Sequence, residues 1–285
     1  MTRDRPPDPL YVEARRVLLD ALDALAPHLS AVVVVGAQAV YLRVGGRSLP
    51  TMAPYTADGD LALDPALLRA APELEVAMGG AGFRLQQIDG HVEPGIWLAS
   101  ARVAAQSVDI PVDLIVPDGV APPGGRRGAR LGEHGHRAAR RVRGLEASLA
   151  DHGPMTIGAL APGDPRKRRV AVAGPAALLI AKAHKLGERV ESGRVDRLDD
   201  KDAGDVLRLM LGTAAAEVAG TVSTLAADPV AGASTAAGLR YIRELFGRRG
   251  GAGVEMAARA LRLAMPAERV EAVCVSYVRE LPALP

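Results

Sequence analysis

Asp58 and Asp60, within Thr56-Ala57-Asp58-Gly59-Asp60-Leu61-Ala62-Leu63, are the residues whose chemistry is easiest to read. The segment reads as a strand, in which side chains two positions apart leave the same face. Two like charges side by side need a cation. Mg2+ takes one or two carboxylates and completes its shell with water and substrate phosphates, and a pair of such ions can hold both oxygens of an in-line phosphoryl displacement. Standing alone, Asp-x-Asp also describes the solvated edge of a strand. Asp113 adds context. Asp109, Pro111, Asp113 and Ile115 alternate with Val108, Val112, Leu114 and Val116, so Asp113 stands opposite the buried side chains of an apolar strand, and a neighbouring strand would present it to the same metal ions. Asp109 reads as facing water.

A second group lies on the helix expected from Pro175. Lys182, Lys185 and Arg189 share one narrow sector beside the apolar stripe of Leu179, Ala183, Leu186 and Val190. That position suits a lysine holding a triphosphate, and equally a surface lysine with a buried stem; Lys182 and Lys185, about one turn apart, both qualify. On the next helix Asp202 projects between Val206 and Leu209, so its carboxylate points to the packed side and needs a partner, for which Lys182 is the candidate. Asp205 flanks the same face. A capping role near the helix start is the alternative for both acids. His134-Gly135-His136 lacks a Cys or carboxylate at zinc-ligand spacing, His184 reads as packed or capping, and neither a G-x-S-x-G nor a G-x-x-x-x-G-K motif is present.

These residues need elements to hold them. Apolar spacing predicts a helix over 10–25, the valine run a buried strand over 31–35, and Gly36 the turn into a helix from Ala37. A looser stretch over 44–55, the Asp58 strand, a helix over 65–78 stopped by Gly79-Gly80, and strands over 95–103 and 107–117 follow. Residues 122–137 read as an exposed loop, and short stretches at 143–149, 155–160 and 169–173 as a meander. Beyond Gly174 helical spacing persists to the end. The expected fold is therefore α+β, with a mixed sheet and flanking helices in a domain over 1–173 and a helical bundle over 174–285.

Composition narrows the partners. Aromatic residues are 3 % of the chain, too few for base-stacking platforms. Between Ala121 and Val170 eleven Arg or Lys face four Asp or Glu, an excess of seven positive charges against a net charge of +2 overall. A polyanionic partner fits that span, as does a solvated arginine-rich loop. The lone Cys274 sits among Val270, Val273, Tyr277 and Val278 at helical spacing and reads as core. No apolar h-region follows the charged start and no run is long enough to cross a bilayer, so the cytoplasm is the expected address.

The order strand, Gly36-Ala37, helix, then Thr56-x-Asp58-x-Asp60 resembles the opening of the DNA polymerase β-type nucleotidyltransferases. Leu178-Leu179-Ile180-Ala181-Lys182-Ala183-His184-Lys185-Leu186, then Arg189, then Lys201-Asp202-Ala203-Gly204-Asp205-Val206 resembles the pattern of the AbiEii and MenT nucleotidyltransferase toxins. The resemblance spans about residues 30 to 211. It implies a Mg2+-dependent, nucleotidyltransferase-fold enzyme moving a nucleoside monophosphate from an NTP to the 3′ end of tRNA, which blocks translation, with a cognate antitoxin as partner. Asp58 and Asp60 would bind Mg2+, joined by Asp113 on the strand reading above. Lys182 would hold the triphosphate and Asp202 support the site, with Gly36, Thr56, Lys185 and Asp205 around the nucleotide. Thr56 would match a hydroxyl that is a target of inhibitory phosphorylation in MenT proteins.

The chain departs from that pattern at Ala37, where a small hydroxyl residue or Gly is usual, and at Pro54, where Arg is common; Arg43 or Arg47 are the candidate substitutes. The basic residues Arg126, Arg127, Arg130, Arg137, Arg140, Arg141 and Arg143 would meet the RNA backbone through salt-sensitive contacts. Two other readings remain. One keeps the chemistry with a small-molecule or protein hydroxyl as acceptor; the other is a nucleotide- or RNA-binding protein without turnover.

Overall fold

The computed structural model describes residues 7–45, 55–124, 127–193 and 199–283. Arg47, Pro54 and Arg126 lie outside the described residues. The fold is α+β: a mixed sheet with flanking helices, followed by C-terminal helices. Packing divides the chain into two compact units. Unit 1 comprises Met1–Gln38, Ala53–Val142 and Gly153–Val172; unit 2 comprises Ala39–Met52, Arg143–His152 and Ala173–Pro285. Unit 2 thus takes the helical region after 172 and, in addition, two earlier segments that a single boundary at 173 would assign elsewhere.

Unit 1 is built on the sheet. Helix α1 (Pro9–Ala24) starts where the Asp8 carboxylate accepts from the Leu10 amide at 2.8 Å, with Pro9 in the first turn. Strand β1 (Val32–Val35) is buried on both faces, as four consecutive valines require of a central strand. It pairs antiparallel with β2 (Gly59–Leu63) and parallel with β8 (Lys167–Ala173); β2 pairs parallel with β5 (Gln106–Pro117). The order among the described strands is β3 (Arg84–Ile88), β4 (His91–Val103), β5, β2, β1, β8, β7 (His152–Gly158), with β6 (Arg140–Val142) also paired to β5.

Period two sorts the sheet's faces. A Cβ at Gly59 would lie 3.3 Å from Leu18 Cδ1 of α1 and 3.6 Å from Val112 Cγ2, so Gly59, Leu61, Val112 and Leu114 form the face that α1 seals. Asp60 and Asp113 therefore belong to the opposite face.

Three expectations fail here. Asp58 is not a strand residue, because β2 begins at Gly59, so the two-apart rule places only Asp60. The helix expected over 65–78 is a 3-10 turn at Pro65–Leu67 and a short helix α3 (Leu74–Gly80); Pro72 lacks the amide a continuous helix would need and restricts the residue before it. The stretch at 143–149 expected in a meander is instead a 3-10 turn at Glu146–Leu149, whereas the described residues of 122–137 are mostly exposed loop, from which Ala129, Leu131 and His134 pack inward.

Unit 2 contains α4 (Pro175–Glu191), α5 (Asp200–Gly212), α6 (Ala215–Ala226), α7 (Gly232–Phe246), α8 (Ala252–Ala260) and α9 (Ala267–Glu280). Asp151 caps α4 from a distant segment, its carboxylate accepting from the Ala177 amide at 2.9 Å and its carbonyl from Gly174 at 2.7 Å. Cys274 is buried, and that burial pushes its thiol up to about 12. Among the described residues no single helix is long and apolar enough to cross a membrane.

Helices α4 and α7 approach closely at Gly187, where a Cβ would sit 2.1 Å from Tyr241 Cδ1. The Tyr241 hydroxyl donates to Glu191 at 2.7 Å, which holds the ring in place. Alanine normally favours a helix by about 1 kcal/mol over glycine, but overpacking costs about 1–3 kcal/mol and should prevail. Gly187→Ala is expected to lower the urea midpoint of unfolding; a raised midpoint would show that the ring yields without cost.

Candidate functional site

Two centres carry the candidate residues, one in each unit. In unit 1, the parallel register sets Asp60 directly beside Asp113, with Asp60 also opposite Val35 of β1. The carboxylates of Asp60 and Asp113 therefore share one face of adjacent central strands. After β1 the chain turns through Gly36 into helix α2 (Gly36–Val44). Gly36 has φ +69, and a Cβ on it would lie 1.9 Å from Asp60 Oδ2. Glycine is required twice over, for the left-handed backbone and for the room the carboxylate takes.

Asp58 is positioned from both sides. Gln38, two residues into α2, donates to the Asp58 carbonyl at 2.9 Å and to the Ala14 carbonyl at 3.2 Å, while Arg15 holds the Gln38 side-chain oxygen at 2.8 Å. Thr56 is wholly buried, and its hydroxyl donates to the Asp58 carboxylate. Sequence reading passed over Gln38 and Arg15. A polar residue in the first turn after Gly36, and an arginine on the apolar face of α1, were the available signals.

Asp113 does not stand alone. Its carboxylate is ion-paired with the guanidinium of Arg140. Arg141 holds Asp118 at 2.8 Å and Arg127 holds Glu93 at 2.8 Å, so three arginines of the basic span are committed to acids of their own unit. Arg130 and Arg137 are exposed. Among the described residues no group of three or more His, Cys, Asp or Glu side chains stands ready to ring a metal ion. A Mg2+ that completes its shell with water and phosphate needs only one or two. His134 is buried, its Nδ1 accepting from the Leu74 amide at 3.2 Å, which makes it a packing residue.

In unit 2, the Lys182 ammonium lies 2.8 Å from Asp202 Oδ1 and 2.7 Å from Asp205 Oδ2. Burial opposes its charge, but Asp205 and Asp202 outweigh that cost and hold Lys182 well above its usual range. Burial likewise works against the Asp202 carboxylate, yet Lys182 and Lys185 keep it well below the usual carboxylate range. Lys185 and Arg189 reach the same Asp202 carboxylate, at 2.9 Å and 3.2 Å. The side chain of Lys182 is only 8 % exposed, against 46 % for Lys185 and 28 % for Arg189. Three cations meet two carboxylates, so the described cluster carries one surplus positive charge, and its accessible members are Lys185 and Arg189.

His184 is packed against Tyr241 edge to face at 5.5 Å, its Nε2 bonded to the Ser234 carbonyl at 2.7 Å. Arg43 donates from Nε to the Ala173 carbonyl at 2.8 Å, a commitment within unit 2. No protein-family model matches the chain, and no curated protein matches it.

Two outcomes follow from this geometry. Lys182→Met should cost roughly 3–5 kcal/mol of stability by stranding buried carboxylates, whereas Lys185→Ala should cost under about 1 kcal/mol because the Lys185 side chain is half exposed and buried Asp202 keeps Lys182; urea unfolding of both variants would reverse the assignment if their order were inverted. Gly36→Ala should destabilise by about 1–2 kcal/mol or more through its left-handed backbone alone, and adding Asp60→Ala should recover the part due to the clash. Equal losses in the single and double variants would mean that Asp60 moves aside freely.

Proposed function

We propose that this protein is a Mg2+-dependent nucleotidyltransferase of the AbiEii and MenT toxin type, moving a nucleoside monophosphate from an NTP to the 3′ end of tRNA. The observation that carries the reading is the carboxylate centre of unit 1. Asp60 and Asp113 lie side by side on central parallel strands, Asp58 is pinned just ahead of β2, and the Gly36 turn leaves no space for a side chain against Asp60. Oxygen donors of this kind fit a hard divalent cation.

When bound, Mg2+ would neutralise phosphate charge and favour the in-line geometry of the displacement. The chain's own contribution is positioning and charge. Asp58 and Asp60 would hold the ion, with Thr56 and Gln38 fixing Asp58. Within unit 2, taken by itself, Lys185 and Arg189 are the accessible cations suited to a phosphate, with Lys182, Asp202 and Asp205 as the buried ionic core that orients them. This revises the role the resemblance implies for Lys182, from direct phosphate contact to support. In the reaction, the acceptor hydroxyl oxygen bonds to the α-phosphorus, the bond to pyrophosphate breaks, pyrophosphate leaves with its electron pair, and the hydroxyl proton passes to water. A cognate antitoxin is the proposed protein partner.

A second reading has one observation in its favour. Arg127, Arg140 and Arg141 are engaged by Glu93, Asp113 and Asp118, which reduces the basic surface available to RNA and suits a small-molecule or protein hydroxyl as acceptor. Charge reversal at Arg130 and Arg137 separates the two, since only transfer to RNA should weaken and lose part of its salt dependence.

The decisive test incubates purified protein with total tRNA, Mg2+ and each α-labelled NTP in turn. Label is expected on tRNA 3′ ends, lost in Asp58→Ala and Asp60→Ala, with a raised KM for NTP in Lys185→Ala. Absence of transfer from every NTP, with NTP binding intact, would overturn the tRNA reading.

A further inference from the structure

The carboxylate face of the sheet holds a fourth charged residue in line with the acids. β5 is paired by β4 only as far as Ile96 opposite Asp113; beyond that β6 takes the place, with Arg140 opposite Ile115 in parallel register. Ile115 and Asp113 are two apart on β5, so Arg140 enters on the same face one pleat away. The row across β6, β5 and β2 is therefore Arg140, Asp113, Asp60.

The backbone gives Arg140 little choice of position. A Cβ at Gly95, which has φ +74, would meet the Arg140 nitrogen at 2.4 Å and the Leu114 oxygen at 2.6 Å. The Trp97 indole donates to the Ala138 carbonyl at 2.9 Å on one flank, and Arg141 is tied to Asp118 on the other. The Arg140 guanidinium is bonded to Asp113, a side chain only 16 % exposed, while Arg140 Nε is buried with no other partner among the described residues. Drawing Asp113 away to a metal ion would leave a guanidinium further unpaired, a costly state for a partly buried charge.

We propose that Arg140 is a positioning residue that withholds Asp113 from the divalent cation, leaving Asp58 and Asp60 as the carboxylates that bind it. Resting on the nucleotidyltransferase reading, the inference sets the site at one ion before nucleotide arrives. A second cation beside Asp113 would also face the fixed positive charge of Arg140.

The test is a Mn2+ titration of the full chain without nucleotide, followed by electron paramagnetic resonance of the free ion. Wild type should bind one Mn2+, Asp60→Asn should lose it, and Asp113→Asn should leave it unchanged. Arg140→Met should bind a second ion or bind the first about tenfold more tightly, the scale of effect seen when a neighbour of a metal ligand is altered. The gain should vanish in Arg140→Met with Asp113→Asn. Loss of Mn2+ in Asp113→Asn, or an Arg140→Met protein indistinguishable from wild type, would overturn the role of Arg140 while leaving the metal reading intact. Wild type that binds no Mn2+ would overturn both. Should Arg140→Met fail to fold, Asp113→Asn decides alone, because Asn keeps the shape of Asp and leaves Arg140 in place.

Discussion

Removing charge from water is the constraint on which both centres depend. An isolated buried ammonium or carboxylate costs several kcal/mol even after relaxation, so Lys182, Asp202 and Asp113 each stand within hydrogen-bond reach of an opposite charge. Lys182 is tolerated because Asp202 and Asp205 close on it from α5, and Asp202 in turn because Lys185 and Arg189 complete its shell. Asp113 is tolerated on the sheet because Arg140 arrives on β6. Where the counter-ions exceed the acids, as on α4, the excess sits on the accessible side chains.

The second organising feature is close backbone approach. Gly36, Gly95, Gly174 and Gly187 each stand where a Cβ would strike a neighbour at 2.4 Å or less. Two of these contacts are with carboxylates, Asp60 at Gly36 and Asp151 at Gly174. In both cases a chain turn is pressed against an acid, so the acid's position follows from backbone geometry and not from a flexible side chain. Arg15 and Gln38 extend the same logic to Asp58, which lies ahead of the strand and relies on hydrogen bonds to its carbonyl and its carboxylate. The carboxylate centre is thus preorganised, as the proposed positioning chemistry would need.

Much of the architecture was legible in the residue pattern, and the exceptions have identifiable causes. The valine run, the alternation around Asp113 and the helical spacing after Gly174 are long, periodic signals backed by burial, and the structure has elements there. Strand β3 was passed over because its mixed, largely exposed residues carry no clean alternation; the signal was Asp89-Gly90, whose φ values of 50 and 77 make the two-residue hairpin turn into β4. The next hairpin turns at Ala104-Ala105, with φ 45 and 71, a left-handed pair that no residue preference announces. β6 was hidden within an Arg- and Gly-rich stretch because its partners, β5 and the crossing at Gly95, are remote in sequence.

The residue types of the candidate site, Asp58, Asp60, Asp113, Lys182, Lys185, Asp202 and Asp205, were determined by the sequence, together with the helices and strands that carry most of them, because local periodicity reports burial. Helical projection already named Lys182 as the partner of Asp202, and the structure pairs them; the other meetings were decided by the tertiary structure. Register across β2 and β5 set Asp60 beside Asp113, an unforeseen strand supplied Arg140, and the packing of α4 on α5 buried Lys182 while leaving Lys185 at the surface. Charge pairing acts over a few ångströms in space regardless of separation along the chain, and one turn of a helix is enough to exchange a buried cation for an accessible one.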